Sequence, residues 1–199
     1  MSSAMVSVII IGVFGLLFVF LIIGIYNKLV RAKNACENGF SQIDVQLQRR
    51  YDLIPNLVET AKKYMEHEKE TLVGVIEARN QALASKERLA ENPGDASATK
   101  NFSKSEAGLN GAMSNFLALF ENYPDLKANQ NMQQLTEELS TTENKIAFAR
   151  QAFNDAIMSY NVAREEFPAV LIAGLFGFQH KEQLEIEDQV ARKAVKVEF

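Results

Sequence analysis

The run from Ala4 to Tyr26 constrains this chain more than any other stretch of its 199 residues. Apart from glycines and the terminal Tyr26, Ser7 is its only clearly non-apolar residue. At 1.5 Å rise per residue the run reaches about 35 Å as a helix, enough to cross a hydrocarbon core of about 30 Å. A secretory leader would carry a basic start, a shorter apolar part and a small-residue cleavage site. None of these is present, so the run predicts a retained anchor bound to membrane lipid through residues 4–26. Residues 1–3 hold no basic side chain, whereas Lys28, Arg31 and Lys33 follow the span closely. The bias of positive charge towards the inner side therefore predicts an outside amino terminus and a cytoplasmic remainder. Gly12 and Gly15 stand three apart rather than four, so the close-packing GxxxG dimer pattern is missing.

No breaking residue follows the span. Apolar residues recur at Leu29, Ala32, Cys36, Phe40, Ile43, Leu47, Ile54, Leu57, Ala61, Met65, Leu72, Ile76 and Leu83. Steps of three and four dominate, the stripe of a helix packed on one side, and this helix should continue directly from the anchor. Pro55 cannot donate its amide and crowds the carbonyl four residues back, which predicts a kink or a restart near Ile54. The run Glu66-His67-Glu68-Lys69-Glu70 is polar on all sides and reads as a solvated turn. Glu91 to Asp95 is a second turn, with Asp95 or Ser97 as the next helix cap. A second helix is predicted from about Thr99 to Asn122, closed by Tyr123-Pro124-Asp125. A third starts near Asn129 and ends by Phe167, where Pro168 disfavours helical geometry in the residue before it.

The expected fold is all-α: a single membrane helix continuing into an antiparallel bundle of three long helices, or four if Pro55 divides the first. The predicted divisions are an anchor at 1–26, a bundle at 27–167 and an apolar segment with tail at 168–199. That last part begins Ala169 to Phe178, ten non-polar residues and too short to span a bilayer. Leu171, Ile172, Leu175, Phe176 and Phe178, with the terminal Phe199, are candidates for an interface or a membrane patch. The segment can cap the bundle end, meet a partner or dip into the membrane surface. The tail carries Glu182, Glu185, Glu187 and Asp188. Its strand-like end, Val195 to Phe199, suits addition to a sheet edge in a partner.

The chemistry of the chain is sparse. A net charge of −4 offers no basic face for nucleic acid. A lone Cys36 excludes an internal disulfide, and His67 and His180 lie too far apart in sequence for a zinc motif. No nucleophile elbow, phosphate loop or dinucleotide glycine pattern occurs, so neither a cofactor nor a metal is expected. Asp44, Asp52 and Glu59 recur near helical spacing, but Arg49, Arg50 and Lys62 stand beside them and suggest surface ion pairs. Asp44, Arg49, Arg50, Asp52 and Pro55 are therefore read as a contact hinge on the outer face of a bend. On that reading, replacing Arg49 and Arg50 together alters assembly rather than folding.

Ser41–Thr60, SQIDVQLQRRYDLIPNLVET, resembles the signature of the LemA family of bacterial membrane proteins. So do Asn27-Lys28-Leu29-Val30, Tyr123-Pro124-Asp125-Leu126, Ala149-Arg150-Gln151, Tyr160-Asn161, Phe167-Pro168, Leu171-Ile172-Ala173, Phe176-Gly177-Phe178 and the Val-x-Val-x-Phe end. The sequence departs from that pattern at Phe40, where tryptophan is common, and at Val170, where asparagine is common. The resemblance implies a single-pass protein of the bacterial inner (plasma) membrane with a cytoplasmic helical bundle and no established enzymatic activity. It implies a membrane-organising role and, by analogy, a membrane zinc metalloprotease of the HtpX type as a possible partner. Two readings follow: a non-enzymatic, membrane-anchored scaffold that forms homo-oligomers, or an adaptor that engages a membrane protease through the bundle or tail.

Overall fold

The computed structural model describes residues 3–185. The anchor does run on into the bundle. A single helix, α1, extends over Ser3–Lys62, 60 residues and about 90 Å at 1.5 Å per residue. Its first part is the one segment among the described residues long and apolar enough to cross a membrane, and none of its most apolar window is buried by them. From Leu29 onward the predicted stripe turns inward, with Leu29, Cys36, Phe40, Ile43, Leu47, Ile54, Leu57, Ala61 and Met65 all buried.

Pro55 does not divide this helix, which continues through it for two further turns. The bond lost at Pro55 is offset locally by Ile54, Leu57, Val58 and Ala61, which all enter the core. The break falls instead at the polar run that reads as a turn. Tyr64 and Met65 both donate their amides to the Ala61 carbonyl, Met65 is fully buried, and α2 starts afresh at Lys69–Glu91. The fourth long helix thus comes from residues 63–68 and not from Pro55.

Helix α3 spans Ala96–Phe120 and is capped by Asp95, whose carboxylate accepts the Ala98 amide at 2.8 Å. A single turn, α4 (Pro124–Lys127), leads to α5 over Gln130–Glu165, where the Asn129 side chain accepts the Met132 amide at 3.1 Å. Helix α6, Ala169–Leu175, is the only regular element after it among the described residues. The long elements pair as α1 on α5 and α2 on α3, with α2 also lying on α1. Gly39 permits the α1–α5 approach. A Cβ there would stand 3.2 Å from the Phe153 Cα, while the neighbouring Phe40 ring meets the Phe153 ring edge-on at 5.8 Å.

Two apolar clusters result. The larger runs the length of the bundle from Cys36 to Leu184. The smaller joins Leu29, Ala163 and Ala173, with Ile25 and Phe178 against it, where the span meets α5 and α6. Because Leu184 belongs to the main core, residues 178–185 are part of the bundle. The strand-like end at 195–199, Phe199 included, lies outside the described residues.

Candidate functional site

Position 50 departs most from expectation. Arg50 is only 2% exposed, so it is not on an outer face, and Glu106 of α3 is fully buried against it. One Glu106 oxygen pairs with the Arg50 guanidinium, and the other accepts the Tyr51 hydroxyl at 2.6 Å. The second Arg50 terminal nitrogen reaches both oxygens of Glu143 on α5, at 3.1 and 3.3 Å. Two consecutive residues of α1 thereby tie it to α3 and α5.

Burial alone would lower the Arg50 pKa, but the Glu106 and Glu143 carboxylates outweigh it and raise the value above its ordinary range. Tyr51 is pushed up by burial and then by the Glu106 charge, so its hydroxyl stays protonated and donating. Within this arrangement Glu143 alone is partly open to solvent. Both Glu106 oxygens are occupied and water does not reach them, which suits a polar lock better than proton transfer.

The remaining hinge candidates surround this lock. Asp44 pairs at 2.8 Å with Lys86 of α2, whose ammonium is nearly buried and also reaches Gln48. Gln48 donates to the exposed Asp52 at 2.9 Å, and Arg79 of α2 donates to the Tyr51 carbonyl at the same distance. Arg49 faces solvent and lies 3.6 Å from Glu138. Of the five hinge candidates, then, Arg50 is buried and Asp44 half-buried in contacts with other helices, Pro55 is half-buried, and Arg49 and Asp52 face solvent. Sequence spacing pairs charges only within a helix, so Glu106, 56 residues away, left no signal beside Arg50.

A second polar system escaped the sequence altogether. After α6 the chain lies along α5 as an extended strap held through its backbone. Arg164 donates to the Phe178 carbonyl at 2.7 Å and Tyr160 to the Gln179 carbonyl at 2.8 Å. Asn161 takes both the amide and the carbonyl of Lys181, at 3.1 and 2.8 Å. Seven residues earlier, Asn154 does the same for Leu184, at 2.8 and 3.2 Å. The strap then crosses to the α2–α3 turn, where the Lys181 ammonium donates to the Pro93 carbonyl and the Glu182 amide to the Gly94 carbonyl at 2.8 Å. Gly94 sits at φ +87°, and a Cβ on it would lie 2.8 Å from the Lys181 Cβ.

Of the apolar candidates, Ile172 is buried and Phe178 half-buried, whereas Leu171, Leu175 and Phe176 face outward. No three His, Cys, Asp or Glu side chains converge as metal ligands among the described residues.

Comparison with known proteins matches residues 39–199 to the LemA family. The chain is 26% identical over 172 residues to the magnetosome protein MamQ of Magnetospirillum gryphiswaldense, covering 79% of this chain and 63% of that protein. It is 28% identical over 145 residues to the protein LemA of Metamycoplasma hominis, covering 73% of this chain and 62% of that one. The matched part thus spans less than two thirds of each relative's length.

Proposed function

The chain belongs to the LemA family, and from that premise we propose that it is a non-enzymatic, membrane-anchored helical-bundle scaffold that self-associates and organises membrane or partner proteins. The observation that carries this reading is α1 itself. One unbroken helix holds both the apolar span and the central stripe of the bundle core, so force or position at the membrane passes directly into the folded domain. The most buried charges are spent on joining helices rather than on a pocket. Relatives named as magnetosome proteins accord with the membrane-organising role that the family resemblance implies. The basic flank Lys28, Arg31 and Lys33 supports a bacterial plasma-membrane protein with its amino terminus outside and its bundle in the cytoplasm.

Light scattering on the full chain in detergent and in lipid nanodiscs tests the scaffold. Particles of two or more chains are expected, and a single-chain mass across the accessible concentration range would overturn self-association. The protease-adaptor alternative draws its support from the family resemblance rather than from a surface on the bundle. Co-purification of a membrane zinc metalloprotease with the full chain, but not with its anchor segment alone, would favour the adaptor.

A further inference from the structure

Helix α6 is built with two unlike faces. Ala169, Ile172 and Ala173 are buried, and Ala173 closes the small cluster with Leu29 and Ala163. On the other side Phe167, Val170, Leu171, Leu175 and Phe176 stand 82, 43, 61, 83 and 55% exposed. No Asp, Glu, Lys or Arg occurs between Glu166 and Lys181. A soluble monomer rarely leaves so contiguous an apolar face to water, and at about 25 cal/mol per Å² that exposure is costly.

The location of this face says what covers it. Tyr26, the last residue of the apolar run, places its ring 5.0 Å from Phe176 and 5.6 Å from Phe178, edge-on to both. Ile25, one residue earlier in the run, packs into the cluster that holds Ala173. Just before α6, Glu166 meets Lys28 at 3.0 Å, immediately beyond the span. These contacts hold α6 at the level where α1 leaves the hydrocarbon, and on its bare side the exposed Phe176 meets Tyr26, itself exposed at the end of the span. Aromatic residues at that depth favour the interfacial layer.

We propose that α6 seats Phe167, Leu171, Leu175 and Phe176 in the interfacial layer of the same bilayer that α1 crosses. The bundle then has a second membrane contact that fixes its tilt. The inference rests on reading residues 4–26 as a span and adds to the scaffold proposal a defined lipid-facing surface.

The chain contains no tryptophan, so single-tryptophan variants report one site each. Leu175→Trp, Phe14→Trp in the span and Val45→Trp on the exposed bundle surface would be reconstituted as full chains. Vesicles of phosphatidylcholine and phosphatidylglycerol, with or without bromine near the top of the acyl chains, serve as the membrane. Bromolipid should quench Leu175→Trp by at least half as much as Phe14→Trp and shift its emission to the blue, leaving Val45→Trp unchanged. Quenching of Leu175→Trp no greater than that of Val45→Trp, with Phe14→Trp quenched, would overturn the α6 contact alone. Blue-shifted but unquenched Leu175 emission that reverts on dilution into excess lipid would assign the face to a second copy and also overturn it. An unquenched Phe14→Trp would remove the span reading and the inference with it.

Discussion

Arg50 and Glu106 are the one ion pair among the described residues withdrawn from solvent on both sides. Removing Arg50 strands Glu106 as a buried charge held only by the Tyr51 hydroxyl, a loss of about 3–5 kcal/mol, whereas an apolar replacement of both is often nearly neutral. Arg50→Met should therefore lower the midpoint of urea unfolding, followed by circular dichroism, far more than the Arg50→Met, Glu106→Met double variant. Equal losses would count against an electrostatic lock. The expectation that Arg49 and Arg50 act together on assembly is replaced by a split. Arg49→Ala, at a solvent-facing pair, should cost at most about 1 kcal/mol, and Arg50→Ala should destabilise the fold itself. Tyr51→Phe gives a pH signature. The native Tyr51 pKa lies above the ordinary tyrosine value because burial and Glu106 disfavour the phenolate. Its contribution, about 1.5–3 kcal/mol for a hydrogen bond to a charged partner, is complete below about pH 10 and is lost as pH rises through the folded value. The stability gap between wild type and Tyr51→Phe should accordingly be constant from pH 7 to 9 and narrow above pH 10. A gap that widens there would contradict the assignment. At this scale the sequence was a poor guide, since Asp44 with Lys86 and Arg50 with Glu106 join residues of different helices.

At the scale of elements, periodicity carried far. The inward stripe from Leu29 to Met65, the Asp95 cap and the start of α5 at Asn129 all stand where residue type and spacing put them. Two elements did not follow. Proline chemistry argued for a kink or a restart near Ile54, and no restart occurs, because a proline costs one amide bond and some crowding and the apolar residues around it keep α1 whole. The strap at 178–185 has no regular pattern to detect, because side chains of α5 grip its backbone and only Phe178, Lys181 and Leu184 turn inward, at irregular spacing. Its weight in the fold is testable. Leu184→Ala removes a fully buried side chain and should cost about 2–5 kcal/mol. Asn154→Ala and Asn161→Ala each remove two bonds to the strap backbone, at about 0.5–1.5 kcal/mol per bond. All three should raise the proteolytic accessibility of residues 178–185 in the full chain, while Asn101→Ala on the exposed side of α3 should not. Gly94→Ala should loosen the same segment from the opposite side, because a Cβ there collides with Lys181 and φ +87° disfavours any side chain. Truncation within this segment is thus a stability experiment before it is a binding one.

For the whole molecule, the membrane and the core share a helix but not their packing. Residues of the span up to Gly24 join neither apolar cluster, and Ile25 only flanks the smaller one. A chain beginning at Ile25 should therefore keep both clusters, the Arg50–Glu106 lock and the strap, and melt cooperatively near the midpoint of the full-length protein. Loss of cooperative melting would mean that the residues before Ile25 contribute to folding. The same shortened chain would expose two surfaces at once, the cut end of α1 and the bare face of α6 beside Tyr26. If α6 belongs against lipid, this fragment should bind vesicles without any span. Leu171→Glu with Leu175→Glu should abolish that binding and leave the melt unchanged, since both side chains point away from the core. Vesicle sedimentation of the two fragments separates a bundle held at the membrane by one helix from a bundle seated on it at two points. A scaffold of the second kind fixes the orientation of its outer faces relative to the bilayer, and any self-association is then restricted to directions in the membrane plane.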